Sequence, residues 1–320
     1  MTTLTTSQRQ CPVCHTPHQN DACACDECGL IFGSYTPEAP GAIAGWHVVR
    51  QTIGGYHVLR TLSRSGMGTV FLASDSQTFD RPVVLKRIAV GNDADALARA
   101  RSEAQALALL RHPAIPQVYS FFAEGAARYI VMEYIAGPTL EDRLSHFNAL
   151  SGQVIAGEAY PLDEVLRWGE ALATVLAYLA GQPEPLIHHD IKPANVVLDE
   201  RSERLYLVDF GAARPARQTT RLESYGTPGY AAPEQYRGES EPRSDIYALA
   251  ATLYHLATDD DPSAHPLVFS QLVTLGDFGT LLKAALNHDP AARQMLWHSP
   301  RPCASCVSCA QRAILTLPTG

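Results

Sequence analysis

The order of secondary-structure patterns along this 320-residue chain predicts an α+β protein whose strands and helices lie in separate halves. Short runs rich in Val, Ile, Leu and aromatic residues come first, at 56–62, 69–74, 82–88 and 128–135. Helical patterns follow, near 139–147 and then at 162–179, 244–257 and 278–287, with a polar insertion at 148–160.

One helix, predicted between residues 93 and 111, interrupts the strand-rich half. It begins after the capping candidates Asn92 and Asp93 and ends before the breaker His112-Pro113. Glu103 shares its inward, otherwise apolar stripe with Leu107 and Leu110. A buried glutamate needs a cationic partner, so this position predicts an ion pair.

The composition is that of a globular enzyme, with 46% apolar and 18% charged residues. A net charge of -8 argues against a nucleic-acid or anionic-lipid partner. The chain has no apolar run long enough to span a membrane and lacks the apolar core of a secretory signal. We therefore expect a cytoplasmic protein.

The segment HHDIKPANVVLDE carries the strongest chemical pattern. Asp190, Lys192 and Asn195 share one short loop, and Asp209 follows on the glycine turn of Asp-Phe-Gly. Such groups can serve a substrate hydroxyl, a phosphate and a metal ion. Mg²⁺ is a hard cation that prefers oxygen ligands such as these carboxylates and this amide. The ordered pair of motifs indicates phosphoryl transfer.

From these motifs, residues 56–296 resemble the eukaryotic-like (Hanks-type) protein kinases, in particular their bacterial serine/threonine branch. The resemblance implies a bilobal protein-kinase-like fold, with a β-rich N-lobe and an α-helical C-lobe. It makes Asp190 the catalytic aspartate and Lys192 the group that neutralises the transferring phosphoryl. Lys86 would hold the α/β-phosphates and pair with Glu103, while Asn195 and Asp209 would bind Mg²⁺.

The same resemblance implies an ATP site between the lobes, with Met132 as gatekeeper and the backbone of Glu133 to Ile135 contacting adenine. Its nucleotide-binding positions are Leu62, Ser63, Ser65, Gly66, Gly68, Val70, Val84, Lys86, Met132, Glu133, Ile135 and Val197. The implied reaction transfers the γ-phosphate of ATP, with Mg²⁺ or Mn²⁺, to Ser/Thr hydroxyls of protein substrates. The expected setting is bacterial signalling, with a capacity for autophosphorylation.

The motif GTPGYAAPE at 226–234 resembles the end of a kinase activation segment. By that resemblance Thr227 lies near the substrate hydroxyl and Glu234 pairs with Arg293, while Asp245 anchors a long helix. The resemblance implies that this segment is a platform for peptide substrates, which counts against a small-molecule phosphotransferase.

Three features depart from the family pattern. Ser63 and Ser65 replace two phosphate-loop glycines, which predicts weaker or slower nucleotide handling. His189 replaces the arginine that pairs with an activation-loop phosphate, so phosphorylation at Thr219, Thr220 or Ser224 is expected to be less decisive. Residues 297–320 carry Cys303, Cys306 and Cys309 without a clear fourth ligand and are read as an irregular tail.

Five of the eight cysteines lie within residues 11–28. Cys11, Cys14, Cys25 and Cys28 form two C-x₂-C pairs, which predict a structural Zn²⁺ site of the zinc-ribbon type. Spare donors (Cys23, His15 and His18) and a redox role for C-x₂-C are alternatives. With few basic residues nearby, a protein partner is expected for this segment rather than nucleic acid.

The predicted domains are a zinc-ribbon-like segment at 8–35, a linker at 36–53, the kinase domain at 54–296 and the tail at 297–320. Two other functions stay open at this point. One is a pseudokinase or scaffold that binds nucleotide or partners without efficient catalysis. The other is a small-molecule phosphotransferase of related fold.

Overall fold

The computed structural model describes residues 8–10, 17–19, 52–65, 68–88, 107–125, 127–148, 153–216 and 226–293. Contacts divide these into two compact units. The first contains the segments up to Leu110 together with Gln117–Tyr134, and the second contains Arg111–Pro116 and everything from Ile135 onward.

A six-stranded antiparallel sheet, in the order β3-β4-β5-β6-β8-β7, forms the first unit. Its strands are β3 (Thr52–Ile53), β4 (Tyr56–Ser65), β5 (Gly68–Asp75), β6 (Arg81–Ile88), β7 (Val118–Glu124) and β8 (Ala127–Glu133). Alternate residues of these strands, such as Phe71, Val83 and Leu85, pack into one apolar cluster on one face of the sheet. The predicted strands are therefore confirmed, and β3 lies inside the segment predicted as linker.

Before the sheet, backbone pairing joins β1 (Gln8–Gln10) to β2 (Pro17–Gln19) in an antiparallel hairpin. The predicted helix at 93–111 is described only at its end, where residues 107–109 are helical.

Three helices and several short hairpins are described in the second unit. The helices are α1 (Leu162–Ala180), α2 (Pro242–Thr258) and α3 (Gly276–Ala285). The paired strands are β9 (His146–Asn148) with β10 (Gln153–Ile155), β11 (Leu186–Ile187) with β14 (Arg214–Pro215), and β12 (Val196–Leu198) with β13 (Leu205–Leu207). Helix α2 is buried along nearly its whole length and is the centre around which this unit packs.

The three long helical predictions are confirmed, and the helix expected near 139–147 is wrong. Its first residues form only a turn, because the Asp142 carboxylate accepts the N–H and hydroxyl of Thr139. Ser145 is then held by Asp259, which accepts both its N–H and its hydroxyl at 2.6 Å. These tertiary bonds compete with helix continuation, and the chain enters β9 instead.

No helix among the described residues is both long and apolar enough to cross a membrane.

Candidate active site

The loop after β11 is anchored by one buried carboxylate on α2. Asp245 accepts the backbone N–H of His188 at 2.7 Å and that of His189 at 2.9 Å. Burial raises the pKa of Asp245 to about 7, although the two N–H donors act to lower it. The bonds also hold His189 at a φ of 69°, a left-handed conformation that costs a non-glycine residue energy. Asp245 thus has the anchoring position that the sequence predicted.

Two of the predicted catalytic groups, Asp190 and Lys192, meet Thr227 directly after this anchor. Thr227 donates its hydroxyl to Asp190 Oδ1 at 2.6 Å, and Lys192 Nζ donates to Thr227 Oγ1 at 2.7 Å. Lys192 Nζ also lies 3.1 Å from Asp190 Oδ2. A hydroxyl is therefore held between a carboxylate that accepts its proton and an ammonium that contacts its oxygen.

Asn195 braces the same carboxylate. Its Nδ2 donates to the Asp190 carbonyl at 2.7 Å and to Asp190 Oδ2 at 3.0 Å. Because the amide NH₂ is used in these bonds, the side-chain carbonyl oxygen is the atom of Asn195 suited to a metal ion.

The β12–β13 hairpin brings the two predicted magnesium ligands to the same end. Asn195 directly precedes β12, Asp209 follows two residues after β13, and Val208 N–H donates to the Asn195 carbonyl at 2.9 Å. Asp209 has a left-handed backbone, with φ 57°, and its Oδ1 accepts the Gly211 N–H at 3.3 Å.

An amide oxygen and a carboxylate fit Mg²⁺, a hard cation that takes its other ligands from water and phosphates. Among the described residues no cluster of three or more His, Cys, Asp or Glu could hold a metal by itself.

His189 cannot act as a cation at neutral pH. Burial, followed by the neighbouring charges of His188 and Arg214, lowers the pKa of His189 to about 4. The side chain is 1% exposed, and its Nδ1 lies 3.1 Å from the Ile187 carbonyl. In the folded protein this histidine is therefore neutral at pH 7.

The end of the activation segment is fixed by the expected ion pair. Arg293 Nη1 and Nη2 lie 2.5 Å and 2.8 Å from the two carboxylate oxygens of Glu234, and Ser244 donates to Oε1 at 2.6 Å. Burial acts to raise the pKa of Glu234, and the bonds from Arg293 and Ser244 outweigh it and hold the pKa below its ordinary value. The predicted pair of Glu234 and Arg293 is confirmed.

Three contacts that dock this segment were not predicted from the sequence. Gln235 Nε2 donates to the His189 carbonyl at 3.1 Å, and Gly226, with φ +110°, approaches the same carbonyl so closely that a Cβ would lie 2.9 Å from it. Tyr230 OH lies 2.6 Å from His255 Nδ1 on α2. The only sequence signal was the inward position of His255 on the buried helix.

Four of the predicted nucleotide residues of the first unit, Val70, Val84, Lys86 and Met132, share one sheet face. Val83 and Leu85 belong to the apolar cluster, so Val84 and Lys86 point to the opposite side. Cross-strand pairing places Val70 beside Lys86 and Met132 beside Val84. Lys86 is 7% exposed.

The serine substitutions do not end the phosphate-loop hairpin, because pairing continues through Ser63↔Val70 to Ser65↔Gly68. Leu62 lies at the register shift of this ladder. Glu133 N–H donates to the Gln117 carbonyl at 2.8 Å. In the second unit, Ile135 and Val197 are 9% and 8% exposed.

Several predicted positions lie outside the described residues. They are Glu103, Gly66, the zinc candidates Cys11, Cys14, Cys25 and Cys28, the phosphorylation candidates Thr219, Thr220 and Ser224, and the tail at 297–320.

A strand-rich unit with a buried lysine, and a helical unit whose loops gather an aspartate, a lysine and an asparagine, define the protein kinase class. The family model for the protein kinase domain matches residues 56–288. The chain belongs to the protein kinase family, in its bacterial Hanks-type branch.

Curated relatives agree with this assignment. The chain is 34% identical over 288 residues to the serine/threonine-protein kinase PknG of Mycobacterium leprae, a match that covers 84% of this chain and 34% of the relative. It is also 34% identical over 215 residues to the serine/threonine-protein kinase PrkC of Bacillus subtilis, covering 65% of this chain and 31% of that protein. The chain thus spans about a third of the length of these relatives.

Among solved structures, the Mycobacterium tuberculosis PknI kinase domain matches with a TM-score of 0.57 and 31% identity. The match covers 76% of this chain and 92% of the PknI domain.

Proposed function

We propose that this chain transfers the γ-phosphate of ATP to serine and threonine hydroxyls of protein substrates. The observation that carries the proposal is the hydroxyl of Thr227, held 2.6 Å from Asp190 Oδ1 and 2.7 Å from Lys192 Nζ. Two bacterial relatives named serine/threonine-protein kinases support the reaction class.

In this proposal Asp190 receives the hydrogen bond of an acceptor hydroxyl, as it receives that of Thr227, and so directs the oxygen lone pair toward the phosphorus. Lys192 lies beside the same oxygen and stabilises negative charge that develops on the phosphoryl group. Asn195 holds the Asp190 carboxylate in place by two hydrogen bonds. The protein's contribution is thus positioning and electrostatics, as phosphoryl transfer requires.

Mg-ATP, or Mn-ATP, would supply the phosphoryl group and the neutralising metal. Asn195 and Asp209 would hold the metal, and Lys86, paired with Glu103, would hold the α/β-phosphates. The base would lie against the sheet face that carries Val70, Val84 and Met132, with Leu62, Val197 and the backbone of Glu133 to Ile135 also in contact. Ser63, Ser65, Gly66 and Gly68 would cover the phosphates.

Autophosphorylation and a role in bacterial signalling belong to the same proposal, as do a cytoplasmic location and the boundaries 8–35 and 297–320. The linker predicted at 36–53 then ends before β3, which joins the kinase domain predicted at 54–296. The alternative, a pseudokinase or scaffold, has no observation in its favour, since Lys86, Asp190, Asn195 and Asp209 are all present.

We expect wild-type protein with Mg-ATP to phosphorylate itself and a generic Ser/Thr substrate. Asp209→Asn removes a metal ligand and Lys86→Met removes the phosphate contact, so each variant should lose at least about 100-fold in kcat/KM. Phosphate transfer is measured from radiolabelled ATP, followed by phosphoamino-acid analysis. Equal signals in all three proteins, or no signal in wild type, would remove the kinase assignment and leave the scaffold alternative.

We also propose a structural Zn²⁺ held by Cys11, Cys14, Cys25 and Cys28. The β1–β2 hairpin supports the first half, because its paired strands flank residues 11–16, which include Cys11 and Cys14. Four thiolates are the donor set of a structural zinc site, and a small segment gains its folding energy from the metal. A protein partner of this segment remains part of the proposal.

Metal analysis tests the zinc site. Wild-type protein should contain about one zinc per chain, and Cys25→Ser/Cys28→Ser should contain less than about a tenth of that. Cys303→Ser/Cys306→Ser is the matched control and should keep its zinc. Loss of zinc only in the control would move the site to the C-terminal cysteines.

A further inference from the structure

A groove in the second unit lies apart from every residue proposed for catalysis. Its volume is about 800 Å³, within the range of ligand-binding clefts. Helix α1 forms one wall, the β12–β13 hairpin forms the other, and residues 112–114 close one end.

The α1 wall is one continuous helix face. Glu164, the adjacent pair Arg167 and Trp168, Ala171 and Thr174 recur every three or four residues. Ten residues of helix span about 15 Å. An extended peptide rises about 3.3 Å per residue, so the groove has the length of four or five peptide residues.

The groove changes character along this length. Ring contact between His112 and Tyr178, with centroids 5.1 Å apart, places the closed end near the C-terminal part of α1. Leu207 N–H donates to the Ala114 carbonyl at 2.9 Å, so the open end of the hairpin lies there too. Pro113, Ala114 and Ala171 line this end, whereas the hairpin turn and the first turns of α1 bring charges to the other.

Four charged side chains, Glu164, Arg167, Glu203 and Arg204, line the groove. In the described part of the chain, their only ion pair joins Arg167 to Asp163 on the same helix, at 3.9 Å and with both side chains largely exposed. Opposite charges on facing walls therefore do not neutralise each other. Their arrangement complements a ligand that carries both signs of charge.

His112 adds a defined donor at the apolar end. Its Nδ1 accepts the Ala114 N–H at 3.2 Å, and burial lowers the pKa of this histidine. The ring is therefore neutral, with its proton on Nε2. Neutral donors, apolar walls and paired-sign charges are together suited to a polypeptide.

We propose that this groove binds a short extended segment of the protein substrate, separate from the phosphorylated residue. The segment carries a bulky apolar side chain, which packs against Trp168 and Leu205, and acidic and basic side chains that pair with Arg204 and Glu164. The inference rests on the proposed kinase function, because it assigns the bound peptide to a substrate. The hairpin turn lies at the opposite end of β12 and β13 from Asn195 and Asp209, so the bound segment leaves the catalytic loop open.

The binding arm of the test needs no catalysis. Fluorescent heptapeptides with one central Leu or Phe and flanking Asp and Lys are screened by anisotropy against the full chain. Ala171→Trp and the exposed-site variant Thr174→Trp fill the groove, and Thr280→Trp on α3 is the matched control. Each groove-filling variant should lower the affinity for the best-binding peptide at least about tenfold, while the control variant leaves that affinity unchanged.

Arg204→Glu should lower the affinity for the same peptide, and replacing the Asp of the peptide by Lys should restore binding to this variant. Equal affinity for wild type and both groove-filling variants, or no peptide that binds wild type, would overturn the proposal. Analytical ultracentrifugation measures the oligomeric state and tests a different occupant. If wild type is a dimer and Ala171→Trp is a monomer, the groove binds a second copy of the chain and the proposal is wrong.

The kinetic test compares two substrates. One is a Ser/Thr acceptor peptide alone, and the other is the same acceptor peptide joined to the selected heptapeptide by a Gly/Ser linker. Tethering should lower KM about tenfold or more with kcat unchanged, and Ala171→Trp should abolish the gain. If neither acceptor is phosphorylated, the kinase function fails while the binding arm still decides the groove. If both are phosphorylated with the same KM, the groove does not recruit substrates.

Discussion

Thr227 shows at the residue scale how a single hydroxyl joins the activation segment to the catalytic loop. It donates to Asp190 and accepts from Lys192, so both groups are held at hydrogen-bonding distance from one oxygen. His189, one residue before Asp190, has the opposite character, because it is neutral and buried. An activation-loop phosphate would form no ion pair with His189 itself, which supports weak dependence on phosphorylation at Thr219 or Thr220.

Burial of His189 predicts a pH dependence of stability. Its folded pKa of about 4 lies below the model-peptide value of 6.5, so only the unfolded chain takes up a proton between these values. This contribution is complete above pH 6.5 and is lost as the pH falls toward 4. Between pH 7.5 and pH 5, wild type should lose about 2 kcal/mol of unfolding free energy relative to His189→Asn.

Urea unfolding of both proteins at each pH measures this difference. Parallel pH profiles for wild type and His189→Asn would show that the histidine is accessible to protons in the folded protein.

At the scale of elements, the buried pair of Glu234 and Arg293 ties the activation segment to the end of the described chain. The Arg293 side chain is fully buried, and the Glu234 side chain is 3% exposed. Removing one partner leaves an uncompensated charge, which is far more costly than losing a surface pair.

Arg293→Ala should therefore lower the free energy of unfolding by about 3–5 kcal/mol. Arg237→Ala is the control, because the pair of Arg237 and Glu239 is more than half exposed and should contribute less than about 1 kcal/mol. Equilibrium denaturation measures both variants. A loss below about 1 kcal/mol for Arg293→Ala would contradict the role assigned to this pair.

Elements with strong local patterns were predictable, and elements decided by distant contacts were not. The alternation in β6 and the apolar stripe of α1 are local, so both were found within a few residues. The chain does not continue as a helix after the turn at Thr139, because Ser145 bonds to Asp259, 114 residues away, which no local pattern shows. The catalytic groups were predictable from motif order, whereas Gln235 and His255 act through partners far along the chain.

At the scale of the whole molecule, the first unit begins earlier than its sequence pattern suggests. Ile53 on β3 is 4% exposed and belongs to the apolar cluster beneath the sheet. Residues 52–53 are thus structurally part of this unit, although they follow a stretch rich in Pro, Gly and Ala.

Two truncated proteins test this boundary. A chain that starts at Gln51 keeps β3, whereas one that starts at Gly54 loses Ile53 and exposes its neighbours. Losing a buried isoleucine costs about 2–5 kcal/mol, so the shorter chain should melt roughly 5–15 °C lower. Differential scanning calorimetry compares them, and Ile53→Ala in the full chain should shift the same transition. Coincident melting curves would place the boundary after Ile53.

The two ends of the β12–β13 hairpin differ in how well they tolerate mutation. Its paired end holds Asn195 and Asp209 through the register Val196↔Leu207, so a one-residue slip there would displace a metal ligand. Its turn, at 199–204, tolerates insertion and substitution without shifting that register. Because Glu203 and Arg204 lie on this turn, substitutions there would change the charge of the proposed peptide groove and leave the Val196↔Leu207 register intact.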